Sequence, residues 1–458
     1  MPEVDLILRG GTVVTAENSQ TADIGVAEGK IVAIQARLQS SCKEEINAQG
    51  LHIFPGIIDS HVHFNEPGRA DWEGFETGTR ALAAGGATLF FDMPLNAHPP
   101  TVDAASFDLK LAAARGKSLV DFAFWGGLVP GNVDKMEELA ARGVVGFKAF
   151  MSNSGIEDFA CVDDATLRAG MKEAARLKKM VAVHAESETM TRELTQEKLR
   201  AGKTGIRDYL DSRPIAAELD AILRALDLAG ETGCALHVVH VSSGAGVGLI
   251  AEARQSGLDV TCETCPHYLT LTEDDMLKLG AVAKCAPPLR PTEEREALWQ
   301  LVAEGKITTI GSDHSPSPPG MKTGVDFFKV WGGISGGQHT LPLLLSEGHV
   351  NRGIALPLLA GLVSFNVAKR FNLPSRKGEI KAGCDADLAL VKLDETSTIS
   401  AEDLFYRHRQ SPYVGRALRG RVRQTLLRGR TIFKDGKITA KLLGELVTGG
   451  NHGHANDD

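Results

Sequence analysis

The stretch Phe54-Pro-Gly-Ile-Ile-Asp-Ser-His-Val-His63 joins an apolar run to two histidines that are one residue apart. Side chains two positions apart on a strand point to the same side, so the imidazoles of His61 and His63 can reach one metal ion. An isolated pair of this kind is more often one packed and one solvated histidine. The remainder of the sequence has to decide between these two interpretations.

Composition limits the class of protein. The chain has 458 residues, of which 43% are hydrophobic and 24% charged, and this length predicts one large barrel with appendages or two to three domains. No apolar run approaches the roughly 20 residues of a membrane helix, and the chain begins without a basic or apolar signal segment. Its net charge of -8, with scattered basic residues, argues against nucleic acid. We therefore expect a cytoplasmic protein with neither a nucleic-acid nor a membrane partner.

Seven cysteines are present, and we interpret them as free thiols. Cys262 and Cys265 form a C-x-x-C motif, which is compatible with half a zinc site or with a redox pair. The sequence has no second C-x-x-C, and Pro266 follows directly. These features favour a buried pair at the end of a strand.

The two ends of the chain share one texture. The first ~50 residues alternate short apolar segments with glycine-rich breaks, and similar segments return near Asp385 and Val422, which predicts short strands joined by tight turns. We therefore expect one small β-sandwich domain built from residues 1–53 and 376–448. Residues 449–458 are polar and glycine-rich, which predicts a disordered tail.

Between these flanks, eight apolar runs alternate with helical segments such as 164–179, 216–232 and 292–304. The runs cover residues 53–63, 87–93, 120–128, 144–151, 180–186, 235–242, 259–267 and 307–314. Apolar strands that alternate with helices indicate an α/β fold, with a parallel sheet covered on both faces. Eight repeats favour a (β/α)8 TIM-like barrel over residues 54–375, although a doubly wound sheet also fits the pattern.

Polar residues lie at or near the ends of five of these runs. They are His61, His63, Lys148, His184, His240 and Asp313. In a barrel these residues converge on the C-terminal face, where such enzymes hold their chemistry. Burying so many polar groups without partners would cost several kcal/mol, so packing is a poor explanation for them. The pattern predicts a metal centre.

Imidazole and carboxylate ligands suit first-row divalent ions; we expect zinc first, with cobalt, manganese, nickel or iron as alternatives. The ligand set is too large for one tetrahedral ion, which favours two ions that share ligands. A protonated Lys148 would be repelled by two cations, whereas a neutral amine can react with carbon dioxide to give a bridging carbamate. The alternative is that Lys148 pairs with Glu157 or Asp158.

The order of these residues, H-x-H on strand 1, lysine on strand 4, histidine on strands 5 and 6 and aspartate on strand 8, resembles the binuclear amidohydrolase superfamily. The resemblance spans the whole chain, and it is closest to the cyclic amidohydrolase branch of dihydroorotases, dihydropyrimidinases or hydantoinases, and allantoinases. It implies a (β/α)8 barrel with a small β domain from both termini. It also implies hydrolysis of a ring amide, two divalent ions, a carboxylated lysine and a homotetramer.

Departures from the sister families indicate which ring is cleaved. Dihydroorotases carry an arginine two residues after the second histidine, but Asn65 stands here, and an amide cannot neutralise a carboxylate. Arg69 is nearby and could substitute for that arginine. Dihydropyrimidinases place a tyrosine five residues beyond the lysine, where this chain has Asn153. Four strings instead resemble allantoinases, at residues 65–81, 92–96, 147–155 and 331–336.

This resemblance implies hydrolysis of the hydantoin ring amide of allantoin, a cyclic ureide, to allantoate in purine or ureide catabolism. A hydroxide that bridges the two ions would attack the carbonyl, and Asp313 would move the proton to the leaving nitrogen. The alternatives are a hydantoinase or dihydropyrimidinase, or a non-catalytic amidohydrolase-like scaffold.

Candidate substrate contacts follow the strand ends. They are Asn96, Asn153 and Ser315, although turn chemistry explains Asn96 and Ser315 equally well. The segment 320–330, which follows strand 8, is a candidate for a mobile loop over the site.

Overall fold

Parallel strands alternate with helices through the middle of the chain, and strands from both flanks form a separate sheet. The structure, a computed structural model, describes residues 4–450. Of the predicted tail, only residues 449 and 450 fall within this range. Lys179 donates from Nζ to both of their carbonyl oxygens at 3.1 Å.

The strands and helices are numbered in chain order. The strands are β1 (Val4–Val14), β2 (Ser19–Ala27), β3 (Lys30–Gln35), β4 (Cys42–Asn47), β5 (His52–Pro55), β6 (Ile57–Val62), β7 (Ala87–Asp92), β8 (Asp121–Phe124), β9 (Gly126–Gly127), β10 (Phe147–Phe150), β11 (Val181–His184), β12 (Leu236–Val238), β13 (Val260–Thr264), β14 (Thr309–Ile310), β15 (Leu388–Thr398), β16 (Ala417–Leu427), β17 (Arg430–Lys434) and β18 (Lys437–Ile438). The α-helices are α1 (Phe75–Ala84), α2 (Ala104–Ala114), α3 (Met136–Ala141), α4 (Asp164–Arg176), α5 (Glu188–Arg200), α6 (Ile206–Asp211), α7 (Ile215–Thr232), α8 (Gly244–Gln255), α9 (Pro266–Thr270), α10 (Glu273–Leu279), α11 (Thr292–Ala303), α12 (Thr340–Leu343), α13 (Leu356–Ala360) and α14 (Asn366–Arg370).

Strands β6 to β14 form a barrel of parallel strands. They pair in chain order as β6-β7-β8 and as β9 through β14, and a single residue separates β8 from β9, so these two are halves of the third barrel strand. The barrel closes where Val62 bridges to His314 in parallel and the His63 amide donates to the His314 carbonyl oxygen at 2.8 Å. This pairing of the first strand with the last confirms the barrel and excludes a doubly wound sheet.

The barrel strands are apolar because helices cover them on one side and neighbouring strands on the other. Every residue of β6, β7, β8, β10 and β11 is buried. Helices α4, α7 and α11 cover the three segments that were predicted as helices, and each boundary agrees within three residues. The helical periodicity of the sequence therefore reported the outer layer correctly.

Nine strands from both flanks form the second sheet. Its order is β18-β17-β16-β15-β5-β1-β2-β3, and β4 pairs with the first half of β1. Leu8, Ile24, Ile53, Leu388 and Leu426 share its buried core. A β domain formed by both termini is thus confirmed; the proposed division at residues 53 and 54 falls within β5.

A buried charge network joins this domain to the N-terminal end of the barrel. Lys377 donates from Nζ to Asp121 Oδ2 at 2.6 Å and to Asp387 Oδ2 at 2.7 Å, and it lies 2.9 Å from Asp385 Oδ2. Arg428 Nη1 donates to both oxygens of Asp121 at 2.7 Å. Because Asp121 is the first residue of β8, the network lies at the end of the barrel where strands begin.

Two further expectations concern the whole chain. No helix within residues 4–450 has the length and apolar composition needed to cross a membrane. All seven cysteines are free, and Cys262 and Cys265 are both fully buried, as expected for a buried pair at a strand end.

Candidate metal centre

Five of the predicted ligands meet at the end of the barrel where the strands finish. The Nε2 atoms of His61 and His63 lie 3.3 and 3.4 Å from Asp313 Oδ1, and ligand atoms of these three residues all lie within 4.8 Å of one another. We call them the aspartate group. His184 Nδ1 lies 3.1 Å from His240 Nε2, and these two form the two-histidine group. The rings of His61 and His240 are 5.4 Å apart, so the groups are neighbours.

The backbone aims two of these side chains through an unusual conformation. His240 and Asp313 follow strands β12 and β14 with φ angles of 42° and 45°, in the left-handed region that residues with a Cβ rarely adopt. Such strain costs on the order of 1 kcal/mol or more and clusters at functional sites. The barrel therefore holds both residues against a local preference.

Lys148 lies in β10 beneath this site and is fully buried. Its Nζ has no hydrogen-bond partner among the described residues and lies 5.1 Å from the centre of the Phe150 ring. Burial lowers the pKa of Lys148 to about 7. The alternative pairing with Glu157 or Asp158 is wrong, because Glu157 is exposed and Asp158 binds His98 Nδ1 at 2.7 Å.

The site has other buried atoms without partners. Among the described residues, His63 Nδ1 and His240 Nδ1 accept and donate no hydrogen bond, and each such atom costs about 1–3 kcal/mol. Burial, and then the Lys148 charge, lowers the pKa of His240 well below its usual value. Imidazoles, a carboxylate and an unpartnered amine form a donor set that fits divalent metal ions.

Asp313 is a carboxylate in this environment. Burial raises its pKa, but the nearby His61 and His63 imidazoles outweigh burial and hold the pKa at about 2. An ionised carboxylate here can bind a cation or accept a proton.

Two buried glutamates that the sequence analysis missed contact the ligand histidines. Glu263 in β13 lies 2.7 Å from His61 Nδ1 through Oε1, and Glu186 lies 2.8 Å from His184 Nε2 through Oε2. Carboxylates behind metal-binding histidines fix the tautomer and orientation of the ring. Signals for both were present: Glu263 is an acid inside an apolar strand, and Glu186 repeats the spacing of the H-x-H pair.

A cavity of about 560 Å³ opens above the two groups. Asn96, Asn153 and Ser315 all line it, together with both groups. Asn96 has a φ of 69°, and the Asn153 side chain accepts a hydrogen bond from the Gly155 amide at 2.9 Å. The three candidate substrate contacts thus face the same space as the candidate ligands.

The segment after strand 8 forms one wall of this cavity, through residues 328–333. Two lysines hold it: Lys284 Nζ donates to the Phe327 carbonyl oxygen at 2.6 Å, and Lys322 Nζ to that of Gly333 at 2.6 Å. The Trp331 ring packs edge-on against Trp72 at 4.9 Å. Residues 328–330 of the predicted loop therefore belong to the cavity wall, and its mobility stays a prediction.

Comparison with known proteins agrees with this geometry. The model of the amidohydrolase family matches residues 52–432. The chain belongs to the amidohydrolase family. Amidohydrolases of this kind are binuclear metal-dependent enzymes, and His61, His63 and Asp313 form a candidate metal site in this one.

Related amidohydrolases align with this chain over nearly its whole length. An allantoinase of Rubrobacter xylanophilus is 58% identical over 98% of this chain and 98% of its own. An allantoinase of Escherichia coli is 44% identical over 94% of this chain and 95% of its own. The solved L-hydantoinase (dihydropyrimidinase) from Arthrobacter aurescens has a TM-score of 0.95 and 34% identity, covering 97% of this chain and all of its own.

Proposed function

We propose that this amidohydrolase is an allantoinase, which hydrolyses the hydantoin ring amide of allantoin to give allantoate. The observation that carries the proposal is the convergence of five predicted ligands beneath one cavity, on a chain that resembles allantoinases along its whole length. The place of such a reaction is purine or ureide catabolism.

We infer that the site takes two divalent ions, zinc first, with cobalt, manganese, nickel or iron as alternatives. The aspartate group would hold one and the two-histidine group the other, with a carboxylated Lys148 shared between them. The buried and unpartnered Nζ of Lys148 supports this assignment. When bound, the ions supply Lewis acidity, which lowers the pKa of water and polarises a carbonyl.

Asp313 is the residue we assign to proton transfer. Its carboxylate accepts the proton of the attacking water and returns it to the ring nitrogen as the carbon–nitrogen bond breaks. Its low pKa keeps the group ionised. Asn96, Asn153 and Ser315, which line the cavity, would bind the polar ring and the ureido group.

The structure argues against dihydroorotate as the substrate. Asn65 replaces the arginine of dihydroorotases, and Arg69 does not substitute for it. The Arg69 guanidinium donates to the Asn96 carbonyl oxygen at 3.0 Å and lies 3.5 Å from Asp158, and Arg69 is not among the residues that line the cavity.

The arginines that do line the described cavity are Arg192 and Arg213. Arg213 forms an ion pair with Glu186, and Arg192 lies 3.7 Å from Glu188. Both guanidinium groups thus face carboxylates of the protein. A neutral, hydrogen-bonding substrate suits this cavity better than an anionic one.

A hydantoinase or dihydropyrimidinase is the second candidate, because the solved L-hydantoinase shares the fold closely. Asn153 is the observation against it. Asn153 stands five residues beyond Lys148, where dihydropyrimidinases carry a tyrosine. An asparagine has no phenol hydroxyl to donate to the carbonyl oxygen, and its carboxamide oxygen already accepts from the Gly155 amide.

We also propose a homotetramer in the cytoplasm. Seven free cysteines suit a reducing compartment, and the tetramer follows from the resemblance to cyclic amidohydrolases. Light scattering should give a mass four times that of the 48.9 kDa chain.

The test of function is a substrate panel of allantoin, hydantoin, dihydrouracil and dihydroorotate with metal-loaded protein. We expect kcat/KM for allantoin to exceed each other value at least tenfold. Faster turnover of hydantoin or dihydrouracil would favour the second candidate. No turnover by a protein that binds metal would favour a non-catalytic scaffold.

A further inference from the structure

A buried ion pair lies behind His184. Glu186 is fully buried, and the same oxygen, Oε2, receives His184 Nε2 at 2.8 Å and the guanidinium of Arg213. The Arg213 guanidinium, a permanent cation, contacts this oxygen directly, so Glu186 belongs to a buried ion pair. The acid is therefore ionised and must accept from both neighbours.

This contact decides which ring nitrogen of His184 is free. A carboxylate accepts, so the proton of a neutral imidazole stays on Nε2 and the lone pair stays on Nδ1. Nδ1 is the atom that faces His240 Nε2 at 3.1 Å. The stacked Phe150 ring, 4.5 Å away, limits ring rotation on one side.

Arg213 is itself connected to the segment that follows β12 and carries His240. The Arg213 carbonyl oxygen accepts from Arg290 Nη1 at 2.6 Å, and Arg290 Nε donates to Ser242 Oγ at 2.9 Å. Ser242 is two residues beyond His240. Two successive hydrogen bonds thus connect Arg213 to the Ser242 side chain, close to His240.

The aspartate group is supported differently. Glu263 contacts His61 Nδ1 at 2.7 Å and accepts from Ser60 Oγ at 2.6 Å, and its ion-pair contacts within the described chain are with histidines alone. Glu186, in contrast, meets an arginine. The Glu186–Arg213 pair therefore serves the two-histidine group specifically.

We propose that Glu186 and Arg213 are positioning residues, which fix His184 as an Nδ1 donor and hold the two-histidine group in register for one of two metal ions. This inference rests on the proposed metal-dependent function. Neither residue needs to touch the reacting bond, because both act through His184.

The test measures metal release rather than turnover. Protein loaded with cobalt(II) is mixed with excess chelator, and release is followed by the visible absorption of bound cobalt and by metal analysis. Removal of a residue that supports a metal-binding histidine typically weakens affinity about 10–100-fold. In Glu186→Gln we expect one of two ions to leave at least tenfold faster than in wild type, with the other ion unchanged.

Two variants separate positioning from general destabilisation. Glu73→Gln is the matched control, because Glu73 is equally buried but accepts from the Arg407 backbone at 3.0 Å and faces His314 rather than a candidate ligand; it should release cobalt as wild type does. Arg213→Lys, which keeps the cation, should release the ion more slowly than Arg213→Met.

The proposal is overturned if Glu186→Gln releases both ions at wild-type rates, or if Glu73→Gln accelerates release equally. Should Glu186→Gln fail to fold, the Arg213→Lys and Arg213→Met pair decides, and equal release rates contradict the proposal. If wild type binds two cobalt ions but does not hydrolyse allantoin, the proposed function fails while this proposal still stands on the release rates.

Discussion

The two ends of the barrel differ in whether their buried lysine has a partner. At the N-terminal end, the Lys377 ammonium meets three carboxylates, and Asp121 also receives Arg428. At the C-terminal end, Lys148 Nζ and His240 Nδ1 have no partner among the described residues. Paired charges join the domains, whereas unpaired donors mark where a ligand is bound.

A second pair of buried lysines shows the same difference. Lys110 and Lys148 are both fully buried. Lys110 Nζ donates to Asp92 Oδ2 and to the Met93 carbonyl oxygen, each at 2.7 Å, while Lys148 donates to nothing described. An ammonium in such surroundings requires compensation, so the two lysines have different roles.

The largest loss of activity should come from a substitution at the C-terminal end of the barrel, where Asp313 lies. Asp313→Asn removes the proton acceptor, and general acid–base catalysis contributes about 10²–10⁴-fold. We expect kcat for allantoin to fall at least about 10²-fold, with an unchanged circular dichroism spectrum. Steady-state kinetics on metal-loaded protein measures this, and a kcat within tenfold of wild type would show that another group carries the proton.

The two buried lysines should separate metal binding from stability. Lys148→Ala should lose bound metal, measured by metal analysis, without loss of folding, because its amine has no partner to leave behind. Lys110→Met should keep the metal ligands but destabilise the protein by about 3–5 kcal/mol, since it leaves Asp92 as an unpaired buried charge. Equal metal contents in the two variants would remove the distinction.

At the paired end, Lys377→Met should lower the free energy of unfolding by about 3–5 kcal/mol, because three carboxylates lose their cation. Activity per folded molecule should be retained. Chemical denaturation measures the change. The exposed Lys172 offers the control, and Lys172→Met should change the free energy of unfolding by at most about 0.5 kcal/mol. Similar losses in both variants would show that the Lys377 network does not stabilise the fold.

A smaller effect concerns pH. Burial raises the pKa of Glu73 to about 7. Because the folded state keeps this proton up to about pH 7 while the unfolded chain releases it near the usual glutamate pKa of 4.5, stability from this group is full below pH 4.5 and declines as pH rises to 7.

Glu73→Gln should remove that decline, which amounts to about 3 kcal/mol at most. Melting temperatures of both proteins between pH 5 and 7 measure it. Parallel profiles of wild type and variant would show that Glu73 does not titrate in this range.

Much of the fold could be read from the sequence because it depends on local patterns. Apolar runs that alternate with helical segments specified the barrel, and polar residues at the ends of those runs specified the site. Strand 8 was harder: within the run 307–314 only Thr309–Ile310 form a regular strand, and His314 adds a single bridge to Val62, because the backbone turns at Asp313, whose φ is 45°. Regular periodicity fails where the backbone adopts a strained conformation.

The partner of Glu263 could not be assigned from sequence for a different reason. Glu263 contacts His61 across 202 positions, and no spacing rule connects two residues that meet only when the barrel closes. For the same reason, the sequence left two interpretations of Lys148 open: a bridging carbamate, or pairing with Glu157 or Asp158. Only the folded structure shows that Glu157 is exposed and that Asp158 contacts His98 instead.

We expect the C-terminal end of the barrel to hold two metal ions that hydrolysis of allantoin requires. This expectation is tested most directly by adding zinc or cobalt in steps to exhaustively chelated protein while measuring allantoin turnover. The account predicts no activity without metal and a plateau at two ions per chain. Full activity in protein that retains no metal would contradict it.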